Sequence, residues 1–126
     1  MTLSFLKRKI SLVLRIEIAT NAYVKVSLVT GGKRIKKKKT STQRGTIQPI
    51  FNEALTFSVP RDQLQHVSLE FTVYHDAILG PKEPLGRVLI SSASKGVERE
   101  HYRDMINSTT PVARWHCLVD PDTRHT

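Results

Sequence analysis

The 126-residue chain has few cysteines and no long apolar run, and each scarcity excludes a class of protein. Cys117 is the only cysteine, so no internal disulfide can form and no cysteine cluster can hold zinc. The apolar N-terminal stretch is interrupted by Arg15 and Glu17 and is too short to span a bilayer. We therefore expect one domain in a reducing, cytoplasmic setting, with no transmembrane segment in this chain.

Acidic residues are scarce in the first part of the chain, although the whole chain carries a net charge of +9. Residues 1–52 hold twelve Lys and Arg against Glu17 alone, which gives +11, whereas residues 53–126 hold eight against ten acids, which gives −2. Such asymmetry indicates an anionic partner: a nucleic acid, an acidic protein or the anionic face of a membrane.

Apolar residues alternate with polar ones over most of the chain, which is the period of half-buried strands. Short strands about ten residues apart predict an antiparallel β-sandwich. One helix is predicted near the C-terminus, from Val97 to Asn107, with Ser94 as its N-cap. A last strand, from Ala113 to Val119, is expected to anchor Trp115 in or near the core and to pack Cys117. The alternating apolar positions are Leu12, Leu14, Ile16, Ile18, Val24, Val26, Leu28, Leu55, Phe57, Val59, Val67, Leu69, Phe71 and Val73.

The sequence KRIKKKK, residues 33–39, places six basic residues in seven between two turn signals. In a strand, Lys37 and Lys39 would share a face with Ile35, while Arg34, Lys36 and Lys38 would share the other. Burying an unpaired ammonium costs several kcal/mol, so we expect this strand at a solvated edge or on an exposed concave face.

Three functions fit this basic run. Lysines can simply protect an edge strand from aggregation, although one or two would suffice. A nuclear localisation signal or nucleic-acid patch also fits, but residues 24–50 contain no aromatic residue on which a base could stack, which disfavours nucleic acid as a partner. On an anionic membrane, five or six cations would contribute about 5 kcal/mol, a weak and salt-sensitive affinity that calls for a multivalent headgroup or a second contact.

Several motifs occur together in a fixed order from Tyr23 to about Val119, and together they resemble the second C2 domain, C2B, of the synaptotagmins. They are YVKVSL (Tyr23–Leu28), KRIKKKKTST (Lys33–Thr42), TIQPIFNEALTF (Thr46–Phe57), VSLEFTVYH (Val67–His75), PLGRV (Pro84–Val88) and RWHCL (Arg114–Leu118). We therefore expect a C2 domain over residues 23–119, preceded by divergent or truncated strands over residues 1–22 and followed by a tail over residues 120–126.

The resemblance implies an all-β, eight-stranded C2-type sandwich that works in vesicle trafficking and regulated exocytosis, peripheral on the vesicle or plasma membrane. It also implies docking of the basic strand on phosphatidylinositol bisphosphate, on SNARE proteins such as syntaxin and on the clathrin adaptor, and oligomers with other synaptotagmins. The residues implied for this docking are Lys33, Arg34, Lys36, Lys37, Lys38, Lys39 and Arg44. The W-H-x-L ending implies a docking motif of Trp115, His116 and Leu118, although Trp115 also fits simple packing.

The calcium positions of the family have lost their carboxylates in this chain. The family's S-D-P-Y corresponds to Thr20-Asn21-Ala22-Tyr23, and its D-x-D corresponds to His75, Asp76 and Ala77. Glu83 matches a later acidic position. Because calcium requires six to eight oxygen ligands, several of them charged, we expect no calcium and no other cofactor to bind.

The start of the chain departs further from the family, which places two strands and a loop ahead of YVKV, in more than the 22 residues available here. One interpretation is two strands, Leu3 to Leu6 and Ile10 to Ile18, joined by Lys7-Arg8-Lys9. The alternative is a truncated or spliced form that lacks its first strand, its first C2 domain and its membrane anchor, and so exposes a sheet edge.

Catalytic chemistry finds little support in the residues. His75 and Asp76 are adjacent, so in a strand they point to opposite faces. His66, His101 and His125 are scattered without the spacing of metal ligands. We therefore expect a calcium-independent phospholipid-binding module rather than an enzyme. The alternative is a module that uses the same strand for SNARE or adaptor proteins without appreciable lipid affinity.

Overall fold

The computed structural model describes residues 7–17, 21–40, 50–75 and 84–119. These residues form seven strands, a 3₁₀ helix (Arg61–His66) and one α-helix, α1 (Gly96–Asn107). The strands are β1 (Lys7–Glu17), β2 (Ala22–Thr30), β3 (Lys33–Lys39), β4 (Ile50–Pro60), β5 (Val67–His75), β6 (Pro84–Ser91) and β7 (Val112–His116).

The strands form two sheets, one ordered β4-β1-β7 and the other β3-β2-β5-β6. Neighbouring strands are antiparallel throughout both sheets, except that β1 and β7 are parallel. The predicted all-β sandwich with a short helix near the C-terminus is confirmed.

The alternating apolar residues fill the space between the sheets, as the sequence predicted. In β1 the buried side chains are Ile10, Leu12, Leu14 and Ile16, and their neighbours point outward. The predicted positions in β2, β4 and β5 are buried in the same way, while Ile18 lies outside the described residues. Each such side chain contributes about 1.5–3 kcal/mol on burial, so strand periodicity largely specifies the core.

The N-terminal basic residues are part of a strand and not a turn between two strands. Lys7, Arg8 and Lys9 pair with Pro60, Val59 and Ser58 at the start of a register that runs without interruption to Glu17. The interpretation of Lys7-Arg8-Lys9 as a connection is therefore wrong, because the ladder to β4 holds these residues extended. The other half of that interpretation, Leu3 to Leu6, lies outside the described residues.

The α-helix begins one residue earlier than predicted, and Ser94 does not cap it. Lys95 occupies the N-cap position and makes no side-chain cap hydrogen bond. The Ser94 hydroxyl instead donates to the carbonyl of Leu89 at 2.8 Å, so it stabilises the turn that follows β6. Gly96 has a φ of 64°, a left-handed conformation that favours glycine, at the first helical residue.

The C-terminal strand is shorter than predicted, and two of its side chains point away from the core. β7 ends at His116, and Val119 then exchanges two backbone hydrogen bonds of 2.9 Å with Arg87. Trp115 is 52% exposed and Cys117 is exposed, so the prediction that they pack inside is wrong. The reason is parity: His116 between them points inward and is buried.

Gly86 permits the close approach of this C-terminal segment to β6. A Cβ atom built on Gly86 would lie 2.7 Å from the Cβ atom of Leu118 and 3.2 Å from the carbonyl oxygen of Val119. Only a glycine therefore fits under this segment as it stands. This contact is a structural reason for the glycine at the centre of the PLGRV sequence.

Candidate functional site

The basic strand β3 lies at the edge of the four-stranded sheet, where it pairs with β2. All seven of its residues, Lys33 to Lys39, are exposed. The predicted position of this strand at a solvated edge is confirmed. We call β3 the lysine strand.

A β-bulge changes which basic side chains share a face. Lys36 pairs with Leu28 and Arg34 pairs with Val29, so Ile35 is an extra residue without a partner in β2. Arg34 therefore projects to the same face as Lys37 and Lys39. The prediction that Arg34 shares a face with Lys36 and Lys38 is wrong, because it assumed unbroken alternation.

The face of the four-stranded sheet that points away from the core, which we call the outer face, carries cations and two stacked tyrosines. Lys39 lies opposite Lys25, and its Nζ atom is 4.5 Å from the ring centre of Tyr23. The Nζ atom of Lys25 is 5.4 Å from the ring centre of Tyr74. The two rings stack at 5.5 Å. Such contacts hold long cationic side chains close to the sheet while the amines stay accessible.

Sequence reasoning missed Lys25 and both tyrosines as parts of this surface. Lys25 lies between Val24 and Val26, so strand alternation alone could have placed it on the outer face. Tyr74 could be found only through the pairing of β2 with β5, where it lies opposite Tyr23. Because Tyr23 is 1% exposed, its ring is not open for stacking with a base.

The other lysines of the strand point toward the second sheet. Lys38 lies opposite the buried Val26, donates to the carbonyl of Thr56 at 3.0 Å, and has its Nζ atom 4.7 Å from the ring centre of Phe57. It therefore covers the gap between the edges of the two sheets. Lys36 lies opposite Leu28 on this same side and is exposed.

The positive charge of the strand is hardly neutralised by the rest of the described chain. Within residues 7–17, 21–40, 50–75 and 84–119, the strand makes one ion pair, from Arg34 to Glu70 at 3.3 Å. Both side chains are well exposed, at 58% and 39%, so this pair is weak and screened. The amines of Lys33, Lys36, Lys37 and Lys39 have no carboxylate partner among those residues. Arg44 lies outside the described part of the chain.

Two of the positions that the resemblance aligns with calcium ligands, Asn21 and His75, are described, and they lie close together. Asn21 adopts a left-handed conformation, with a φ of 63°, immediately before β2. His75 ends β5 and lies opposite Ala22, so it is next to Asn21 across the sheet. Ala77 and Glu83, with Asp76, lie outside the described residues, and the loss of calcium binding stays a prediction.

The three residues of the W-H-x-L motif have different environments. Trp115 is exposed, His116 is buried and Leu118 packs partly against the core. Trp115 and Leu118 line an open cavity of about 390 Å³ together with Glu17, His116 and Cys117. The motif therefore offers one large exposed ring, and its histidine is a packing residue.

His116 forms a buried pair with His101 of α1, which sequence spacing did not reveal. The ring planes are inclined by 15° with centres 5.0 Å apart, and Nδ1 of His101 lies 2.7 Å from Nε2 of His116. Nε2 of His101 lies 2.7 Å from the carbonyl oxygen of Val112, so it must carry a proton and donate. Nδ1 of a neutral His101 then accepts from the Nε2–H of His116.

The remaining ring nitrogen of this pair, Nδ1 of His116, is buried and has no hydrogen-bond partner among the described residues. It lies 3.8 Å from a carboxylate oxygen of Glu98. Burial lowers the pKa of both imidazoles, and for His116 the nearby His101 lowers its pKa further while Glu98 raises it. The pair is therefore neutral near pH 7 and connects α1 to β7.

The fold and this surface define a class of protein: a β-sandwich domain with an exposed cationic strand at the edge of one sheet. The C2 domain family model matches residues 7–117, and the chain belongs to that family. In the described part of the chain, no helix is long and apolar enough to cross a bilayer.

Among known proteins, the chain is similar to synaptotagmins. The chain is 44% identical to Synaptotagmin-5 of Homo sapiens and 40% identical to Synaptotagmin 1 of Drosophila melanogaster, each over 104 residues, or 82% of this chain. These matches span 27% and 22% of the two relatives, so the chain covers about a quarter of their length. A C2 domain of RIM from Drosophila is similar in structure, with a TM-score of 0.50 and 27% identity over 60% of this chain and 61% of that one. The predicted relationship to the synaptotagmins is confirmed, and the finer likeness to C2B stays a prediction.

Proposed function

We propose that this C2 domain binds anionic, phosphoinositide-containing membranes through the lysine strand, without calcium and without catalysis, in vesicle trafficking. One observation supports this above all: every residue of the strand is exposed, and Arg34 alone pairs with a carboxylate within the described residues. A cationic surface that the same molecule does not neutralise attracts an external anion. The synaptotagmin relatives support the trafficking setting.

The strand binds weakly to a uniform anionic surface and more tightly to clustered phosphates. Each cation near an anionic bilayer contributes about 1 kcal/mol, so five or six contribute about 5 kcal/mol, which corresponds to a dissociation constant of about 0.1–1 mM. Phosphatidylinositol bisphosphate concentrates several charges in one headgroup, which matches lysines held along a rigid strand. The domain then associates peripherally with a vesicle or plasma membrane.

Calcium plays no part in this proposal because the residues at the described calcium positions, Asn21 and His75, carry no carboxylate. Sensor sites bind calcium with dissociation constants of about 0.1–10 µM and depend on several charged oxygens. The lysine strand is already cationic and needs no divalent ion to attract an anionic lipid.

Vesicle co-sedimentation with and without phosphatidylinositol bisphosphate, in calcium or in chelator, tests the proposal. We expect wild-type protein to pellet with the phosphoinositide vesicles in both conditions. A variant with alanine at Lys36, Lys37, Lys38 and Lys39 should lose most binding. The matched control removes four exposed cations elsewhere, Lys7, Lys9, Lys95 and Arg99, which changes the net charge equally.

Two results would contradict the proposal. Equal pelleting of wild type and lysine variant would dismiss the lysine strand as the docking surface. A large increase in pelleting with calcium would instead indicate a calcium sensor, and calorimetric titration with calcium would then measure the dissociation constant.

A protein partner is the second candidate, because Trp115 is 52% exposed beside an open cavity. Exposed tryptophans are frequent anchors at protein interfaces. The candidates of this kind are SNARE proteins such as syntaxin, the clathrin adaptor and other synaptotagmins. Capture of purified syntaxin or adaptor by wild type, by the lysine variant and by Trp115→Ala separates the two functions, since a domain that binds only protein gives no vesicle pelleting.

A further inference from the structure

The buried pair of His101 and His116 lies at the centre of a longer row of polar groups. Nδ1 of His116 lies 3.8 Å from Oε1 of Glu98, and Nε2 of His116 lies 2.7 Å from Nδ1 of His101. Nε2 of His101 lies 2.7 Å from the carbonyl oxygen of Val112. The four groups come alternately from α1 and β7, so each of the three gaps joins the helix to the strand.

One of the three gaps lacks a proton when both rings are neutral. Each gap needs one proton to become a hydrogen bond, and two neutral imidazoles carry only two. The carbonyl of Val112 can only accept, which fixes a proton on Nε2 of His101, and the second proton then lies on Nε2 of His116. The gap between Nδ1 of His116 and Glu98 is left with two acceptors. The distances agree, since the two filled gaps measure 2.7 Å and the empty one 3.8 Å.

We propose that the gap between His116 and Glu98 is a binding site for one proton, and that the pair makes the attachment of α1 to β7 sensitive to acid. A proton on Nδ1 of His116 completes the row of hydrogen bonds and places an imidazolium beside a carboxylate. The first proton therefore leaves α1 attached. Because burial lowers the pKa of His116 and Glu98 only partly offsets this, the first proton enters below pH 6.5.

A second proton has no such place in the folded pair. It would have to bind Nδ1 of His101, which already accepts the Nε2–H of His116, so two N–H groups would face each other at 2.7 Å. Two imidazolium rings in contact would also repel each other. The second proton can therefore bind only when α1 and β7 separate.

The other charged groups close to the pair oppose one another. Asp104 of α1 and Arg114 of β7 form a hydrogen-bonded ion pair, and Glu100 lies 4.0 Å from the same guanidinium. Burial has the largest effect on the pKa of both rings; Arg114 lowers the pKa of both as well, whereas Asp104 raises that of His101. Glu98 therefore decides where the first proton binds. The remaining charged side chains of α1, β1 and β6 are exposed or bonded elsewhere, among them Arg8, Arg15, Glu17, Arg87, Arg99 and Arg103.

Glu98→Gln tests the proton site, because a glutamine amide can donate an N–H to Nδ1 of neutral His116 and fill the gap without a proton. NMR of the ring nitrogens in wild type should show both imidazoles with their proton on Nε2 at pH 7, and then a first protonation at Nδ1 of His116 in mild acid. In Glu98→Gln we expect the midpoint of that step to fall by about one pH unit or more.

Glu100→Gln is the matched control, since it removes the same charge from an exposed position of the same helix. It should shift the midpoint by less than about 0.3 pH unit. Equal shifts in the two variants would overturn the site. So would two protons that enter the folded pair, or a wild-type spectrum at pH 7 with a proton on Nδ1 of either ring.

Hydrogen exchange of the backbone amides tests the attachment of α1. We expect the protection of α1 to persist through the first protonation and to fall about tenfold or more where the second begins, while β2 and β5 stay protected. His101→Gln keeps a donor for the carbonyl of Val112 and cannot bind a proton, so its α1 should stay protected at pH values where wild-type α1 exchanges.

Loss of protection with the first proton, or equal acid sensitivity in wild type and His101→Gln, would overturn the coupling. If His101→Gln does not fold, the wild-type titration decides by itself. In that titration, an α1 that stays protected until the whole domain unfolds would contradict the coupling.

Discussion

The buried pair of His101 and His116 predicts a loss of stability in mild acid. Both imidazoles have a lowered pKa, chiefly because burial disfavours the charged form, whereas in the unfolded chain each has its ordinary pKa of 6.5. Below pH 6.5 the unfolded state therefore binds more protons than the folded state. Stability is fully present above pH 6.5 and falls as the pH drops.

The size of the effect follows from the geometry of the pair. A histidine that stays neutral when folded and has a pKa of 6.5 when unfolded loses about 2 kcal/mol of stability between pH 7 and pH 5. Two such histidines would lose about 4 kcal/mol. Nδ1 of His116 faces Glu98 and can accept a first proton, whereas a proton on Nδ1 of His101 would face the Nε2–H of His116. About 4 kcal/mol is therefore the upper limit of the loss, and a proton taken up by folded His116 makes the loss smaller.

Urea unfolding at pH 7 and pH 5 measures this loss. The comparison is with the double variant His101→Gln/His116→Gln, which keeps the rest of the chain unchanged. Wild type should lose more stability than this variant, by up to about 4 kcal/mol. Equal losses would refute the reasoning. If the double variant does not fold, a histidine titration of wild type by NMR decides instead, since an ordinary pKa near 6.5 for both rings would contradict burial of a neutral pair.

Three further predictions concern packing and charge. Gly86→Ala should lower the free energy of unfolding by about 1–3 kcal/mol, because its Cβ would lie 2.7 Å from that of Leu118; an unchanged urea midpoint would contradict this. Tyr102→Phe should cost about 1–2 kcal/mol in the same assay, since the hydroxyl donates to the carbonyl of Leu64 at 2.5 Å. Vesicle binding should fall more than tenfold as salt rises from about 0.1 M to 1 M, where the Debye length shrinks from about 10 Å to about 3 Å, and binding that ignores salt would exclude an electrostatic mechanism.

The sandwich could be predicted from the sequence because the alternation of apolar and polar residues is a property of each strand by itself. Leu12, Leu14 and Ile16 lie at alternate positions of β1, and their burial on one face fixes which side of the strand points into the core. The exposure of the lysine strand was predictable for the same reason, since lysines on both faces cannot all be buried. The helix was predicted to within one residue at its start, whereas its cap was wrong because Ser94 bonds backward to Leu89.

The details of the candidate site depended on contacts between strands. The bulge that turns Arg34 toward Glu70 arises from the register of β3 against β2, and the sequence KRIKKKK alone does not predict it. Trp115 was expected inside and lies outside, because its neighbour His116 takes the inward position and meets His101.

The amino-acid sequence by itself determined which faces of β1, β2, β4 and β5 would be buried, that the basic run would stay in water, and which family the motifs resemble. Only the tertiary structure decided which cations share a face, that a carboxylate lies among them, and that two distant histidines meet. The physical reason is the separation along the chain over which each effect acts. Side-chain alternation and desolvation act within one strand. Contacts between elements join residues far apart in sequence, such as Arg34 and Glu70, 36 positions apart, and His101 and His116, 15 positions apart.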